Sequence, residues 1–169
     1  MTELDLRQSP WNEGLGISSE YLDHQLYLLG CMVHASPVFD SLGDHALNLR
    51  AKFQETQIGQ ALLTVAVAIR NAMDQNPSRA GYWLDGIDEN VGTLYPTVES
   101  GEQVSLTIRE ACNKVIHCAS INFHYLSDAP RRGLALEPRA HLYGTHGDKE
   151  WKATIDINRF IQVAAQLTG

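Results

Sequence analysis

The sequence predicts a mostly α fold: an antiparallel helical bundle with an added C-terminal antiparallel β-hairpin and a short last helix. Three observations point there. Apolar residues recur at three- and four-residue spacing through long segments of the first 119 residues. After Ala119 the period shortens to two. The chain has 169 residues, 44% of them apolar and 20% charged, which is one domain's length with a globular balance.

The elements follow in order. Residues 1–17 hold Pro10, Gly14 and Gly16 and read as a loose N-terminal arm that Trp11 can pin. Ser18 or Ser19 caps a helix over Ser19–Ala35, whose Leu22, Leu26, Leu29 and Val33 form one apolar face. Pro37 ends it, and Ser36–Gly43 is a loop. Asp44 caps a long segment, Ala46–Asp74, with Leu49, Phe53, Ile58, Leu62, Val65 and Ile69 as its buried stripe. Residues 77–100 carry Gly81, Gly86, Gly92 and Pro96 among many apolar residues and read as a structured loop with a short helical turn. Gly101–Ala119 is the third helix, with Val104, Ile108, Ala111, Cys112, Val115 and Ala119 inward. Ile121, Phe123 and Tyr125 alternate as a strand does, and Pro130–Gly133 is a turn. Ala140–Gly144 and Trp151–Ile157 form the hairpin, bent at Gly147-Asp148. Trp151, Ala153, Ile155 and Ile157 face the core, and Lys152, Thr154 and Asp156 face outward. Asn158 caps the last helix, Arg159–Leu167. The organisation expected is one domain: arm 1–17, bundle 18–119, hairpin and terminal helix 120–169.

The formal net charge is −7 and uneven. Residues 1–100 carry 5 Lys/Arg and 13 Asp/Glu; residues 101–169 carry 8 and 7, together with four of the seven histidines. A polyanion is repelled by the first part and tolerated by the second. Cys31, Cys112 and Cys118 are odd in number, sit in apolar helical contexts and read as buried free thiols. The first 16 residues lack an apolar leader core, and the longest greasy run, Ala61–Ile69, is about half a bilayer span. A cytoplasmic protein with no membrane segment is expected.

Chemistry concentrates in Leu106–Ala119. On a helix Arg109, Asn113 and His117 fall in one row, four residues apart, and Glu110, Lys114 and His117 in a second. Histidine exchanges protons near neutrality, an amide can orient it, and a guanidinium grips phosphate through a fork of hydrogen bonds. A solvated face with His117 near the helix C-terminus accounts for the same residues without chemistry. Arg109 and His117 are separated by about 80° and roughly 12 Å on such a helix, too far to share one phosphate.

The string Leu106-Thr-Ile-Arg-Glu-Ala-Cys-Asn-Lys-Val-Ile-His117 resembles the signature helix of the HEPN superfamily. That motif is an arginine, four to six residues, then a histidine, commonly with a polar residue directly after the arginine. Asn113 to His117 matches it in spacing, but the arginine position is Cys112. The resemblance implies a helical bundle, a homodimer whose signature helices line one cleft, and RNA as the ligand. It implies either a metal-independent endoribonuclease of a toxin or defence system, or a degenerate, non-catalytic interaction subunit. In the first case His117 is the acid/base, Asn113 orients it, and Arg109 and Lys114 offset phosphate charge, with Arg131, Arg132 or Arg139 as alternative cations. In the second, loop 77–100 is the partner surface. No cofactor is expected. His141, His146 and Asp148 fall short of the four ligands of a closed metal site, so no metal is expected either. Trp151, Phe123 and Tyr143 read as sheet packing. A small-molecule enzyme built on His117, His124 and His141 is a third reading, and it rests on histidine count alone.

Overall fold

The computed structural model describes residues 19–75, 88–126 and 135–167. The first helix, α1 (Ser19–His34), buries Leu22, Leu26, Leu29 and Val33, the stripe its spacing dictates. Ser36–Ser41, expected as a loop, is a short helix, α2, because Pro37 sits in its first turn, where a missing N–H is tolerated. The long helix α3 (Asp44–Gln75) packs beside α1. Its buried stripe begins only at Gln54 and Ile58 and continues through Leu62, Val65, Ile69 and Met73. Leu49 and Phe53, expected inside, are 55% and 45% exposed. They lie on a different side of the cylinder, since nine residues from Leu49 to Ile58 turn the helix by about 180° beyond two full turns.

The remainder overturns the mostly α expectation. A five-stranded antiparallel sheet runs in the order β2-β1-β5-β4-β3. Its strands are β1 (Asn90–Tyr95), β2 (Val104–Thr107), β3 (Ser120–Leu126), β4 (Ala135–His146) and β5 (Lys149–Asp156). The fold is α+β, and the expected C-terminal hairpin is its β4–β5 part. The described part of the expected loop 77–100, residues 88–100, holds β1 and a 3-10 turn, Val98–Ser100. The expected helix Gly101–Ala119 splits at Thr107 into β2 and a ten-residue helix, α4 (Ile108–His117). Thr107 has extended backbone angles and its hydroxyl accepts from the Glu110 N–H, so it caps α4 and ends the strand. The last helix, α5 (Ile157–Ala165), is capped by Asp156 rather than Asn158.

One core joins the layers. Leu94, Ala140, Leu142, Trp151, Ala153 and Ile155 of the sheet meet Ile108, Ala111, Cys112 and Val115 of α4, Phe160 and Val163 of α5, and the stripes of α1 and α3. Two glycines are dictated by close approach. A Cβ on Gly92 would stand 2.0 Å from the Thr154 carbonyl oxygen, and one on Gly144 2.3 Å from Cζ2 of the Trp151 ring. The arm 1–17, residues 76–87 and the turn Pro130–Gly133 lie outside the described residues, and Arg131 and Arg132 with them. Among the described residues no helix is long and apolar enough to cross a membrane.

Candidate functional site

Helix α4 has a strict division of faces. Ile108, Ala111, Cys112 and Val115 are buried, Asn113 and Lys114 are half-buried, and Arg109 and His117 are exposed. The motif position filled by Cys112 therefore points into the core. Burial pushes its thiol up to about 12, so it stays protonated at neutral pH. Cys118 is half-buried and shifted upward for the same reason, whereas Cys31, expected inside, is exposed.

Arg109, Glu110, Asn113 and Lys114 of α4 are engaged within the chain. Arg109 Nη2 donates to Asp74 Oδ1 at 2.8 Å, tying α4 to the end of α3. Asn113 Nδ2 donates to Glu110 Oε2 at 3.2 Å rather than to His117. Lys114 Nζ is 3.3 Å from Glu110 Oε1 and 4.4 Å from the centroid of the Trp151 ring. Glu110, a member of the second row, is thus the residue that collects this face. It holds the amide and the ammonium where the resemblance would have them turned to a ligand.

A second polar surface lies on the sheet. Core and outward residues alternate along β4 and β5, and the outward set is continuous across strands through the register. Tyr95, Lys152 and Tyr143 are consecutive cross-strand neighbours on β1, β5 and β4. The Lys152 ammonium stands 6.0 Å from the Tyr95 ring centroid and 5.7 Å from that of Tyr143. The Tyr95 hydroxyl accepts from Gln103 Nε2 at 2.6 Å. The next row places Thr93, Thr154, His141 and Asn122 side by side. His141 Nδ1 is 3.0 Å from Thr154 Oγ1. Its ring meets that of His124 edge-on with centroids 6.2 Å apart. Partial burial, then Lys152, His124 and Arg139, hold the His141 imidazole below its ordinary pKa, with Glu137 opposing.

One end of this face deepens into a polar cleft of about 580 Å³ between β1, β4 and the start of α5. Arg159 is fixed there: Nη2 donates to the Asp88 carbonyl at 2.8 Å and carboxylate at 3.0 Å, and Nε to the Asn90 carbonyl at 3.2 Å. Arg139, by contrast, is 55% exposed and touches Glu137 at 3.1 Å. Among the described residues no three His, Cys, Asp or Glu side chains gather as metal ligands would.

The helix and the sheet face differ in what the sequence offered. The row on α4 was visible as a row, but its internal pairing was not. Trp151 is buried and Phe123 half-buried against the core, as sheet packing requires, whereas Tyr143 stands on the open face. The outward alternation of Lys152, Thr154 and Asp156 signalled this face. What was missed is the matching alternation of Thr93 and Tyr95, hidden in a stretch read as loop. Compared with protein-family models, curated proteins and solved structures, the chain matches none.

Proposed function

We propose that this chain is a non-catalytic binding module that holds a short single strand of RNA on the open face of its sheet. One observation carries the reading: Tyr95, Lys152 and Tyr143 stand in a single row with the ammonium between the two rings. Aromatic rings offer stacking surfaces to bases of any kind, and a cation between them suits the intervening phosphate. The neighbouring row of Thr93, Thr154, His141 and Asn122 supplies donors and acceptors for base edges and the 2′-hydroxyl. The charge of −7 sets the expected strength: weak binding that falls with salt at a slope of about −0.7 per phosphate contacted.

The cutting alternative finds little support on α4. The position where the HEPN motif carries arginine is Cys112, inside the core, and the two cations nearest His117 are paired with Asp74 and Glu110. The test is fluorescence anisotropy of a labelled oligouridine or oligoadenosine at low salt. Tyr143→Ala and Lys152→Ala should each weaken binding by about fivefold or more, as loss of one stacked base does. The RNA should be recovered intact. Undetectable binding, or binding indifferent to both substitutions, would overturn the reading. Metal-independent cutting that His117→Ala abolishes would restore the nuclease.

A further inference from the structure

Helix α3 carries two stripes, and only one is buried inside the protomer. The second is Leu49, Phe53, Thr56, Gln60, Leu63 and Val67, all exposed. Its spacing is four, three, four, three, four, which is the heptad seam of a coiled coil rather than the broader stripe of a surface helix. The seam runs roughly 27 Å along the helix. It ends where the next two heptad positions are Arg70 and Asp74, which pair with each other at 2.6 Å. Its first two residues, Leu49 and Phe53, line a groove of about 280 Å³ with Met32, Ala35 and Phe39, and all six seam residues stay exposed.

An independent feature lies beside the seam. Gly59 sits near the middle of a 32-residue helix, where glycine is less favourable than alanine. A Cβ there would meet no atom within 4 Å, so nothing in the protomer requires the glycine. Close approach of a second backbone does.

We infer that α3 packs against α3 of a second copy, antiparallel, across a two-fold axis beside Gly59. The spacing is self-complementary in that orientation. Phe53 falls opposite Leu63 of the second copy, Leu49 opposite Val67, and Thr56 opposite Gln60, each layer appearing twice as an isologous contact demands. Two symmetry-related polar layers of Thr56 and Gln60 flank the two-fold axis and fix register, as buried polar residues do in coiled coils. Along the flanks Lys52 meets Ala66 and Gly59 meets Gly59, while Arg50 is held by Asp40 at 2.9 Å within its own protomer, so no like charges are opposed. A second copy is therefore favoured over an unrelated helix, because both halves of the interface are written on one helix.

Sedimentation equilibrium of the full chain tests this. The wild type should be dimeric at micromolar concentration. Leu63→Arg, at an exposed position, and Gly59→Leu, where a Cβ meets no atom within 4 Å, should each give a monomer with an unchanged circular dichroism spectrum. In a Cys31→Ser background, Thr56→Cys with Gln60→Cys should oxidise to a cross-linked dimer, and Leu49→Cys alone should not, since Leu49 faces Val67 and not itself. A monomeric wild type, a dimer that survives both disrupting substitutions, or failure of the paired cysteines to cross-link would overturn the inference. None of these readouts depends on RNA binding.

Discussion

Arg109 Nη2 and Asp74 Oδ1 lie 2.8 Å apart, and the same carboxylate oxygen accepts from Arg70 Nη1 at 2.6 Å. The arginine nearest His117 in sequence thus closes the joint between α4 and α3. Arg109 and Asp74 side chains are nearly half exposed, so the pair contributes little on its own. Arg109→Ala and Asp74→Ala should each lower stability by less than about 1 kcal/mol in urea titrations, with a coupling of roughly 0.5 kcal/mol in the double-mutant cycle. RNA binding should be unchanged in both, and a loss confined to Arg109→Ala would place that residue in a binding site after all.

Restoring the HEPN-type arginine should damage the protein rather than activate it. Cys112 is fully buried among Ala111, Val115 and the α3 stripe. Cys112→Arg places an unpaired cation there and should destabilise by roughly 3–5 kcal/mol. Thermal melts should show the loss, and RNA incubated with the variant should remain uncut. With thiol reagents, Cys31 of the wild type should react first and Cys112 only on unfolding, because its thiol is held protonated and out of solvent.

Gly144 and Trp151 are cross-strand partners, the indole lies against the glycine, and the Lys114 ammonium stands 4.4 Å from the ring centroid. Gly144→Ala has to displace the ring and should lose about 1–3 kcal/mol, the range for overpacking a close-packed site. Trp151→Leu in the same chain should recover part of that loss. Tryptophan fluorescence should shift to the red in Gly144→Ala as the ring moves toward water.

Much of the helical layer was legible because helix burial repeats locally. Leu22 to Val33 and Ile58 to Ile69 were readable as stripes without knowing what covered them. The sheet was half legible. β5 alternates cleanly and its outward Lys152, Thr154 and Asp156 are legible, although it runs Lys149–Asp156 rather than Trp151–Ile157, but β1 contains Gly92, where the Thr154 carbonyl of a strand some sixty residues away leaves no room for a Cβ. No local signal states that. The break at Thr107 was legible in principle: Thr107-Ile-Arg-Glu110 has the spacing of a capping box, and a helix start there excludes one running from Gly101. The site divides the same way. Residue types on α4 were readable, whereas their pairing with Asp74 and Glu110 depends on rotamers and on a helix contact that sequence spacing does not contain.

Ser36 is the polar hinge between layers. Its buried hydroxyl accepts from the Leu136 N–H of β4 at 3.3 Å and from Gln54 Nε2 at 3.3 Å, while Gln54 also donates to the Met32 carbonyl at 2.8 Å. Ser36→Ala leaves a buried backbone N–H without its acceptor. It should cost about 1–3 kcal/mol, more than removal of an ordinary exposed hydroxyl. Amide exchange at Leu136 should accelerate in the variant, and an unchanged rate would show that the hydroxyl is not the acceptor that protects it.

The sheet face should also register pH through His141. Its pKa is held down in the folded protein by partial burial, then by Lys152, His124 and Arg139. The unfolded chain, with an ordinary imidazole near 6.5, therefore binds its proton more readily than the folded chain. Stability is then fully present above about pH 6.5 and declines as pH falls through that value toward the lower folded pKa. The group is only partly buried, so solvent screening keeps the effect small. His141→Asn removes the titration while keeping a side chain able to reach Thr154 Oγ1. Melting temperature should therefore fall less steeply between pH 7 and pH 5 in His141→Asn than in the wild type. Parallel curves would mean that the imidazole titrates alike in both states, and that Lys152 and His124 do not act on it across the sheet.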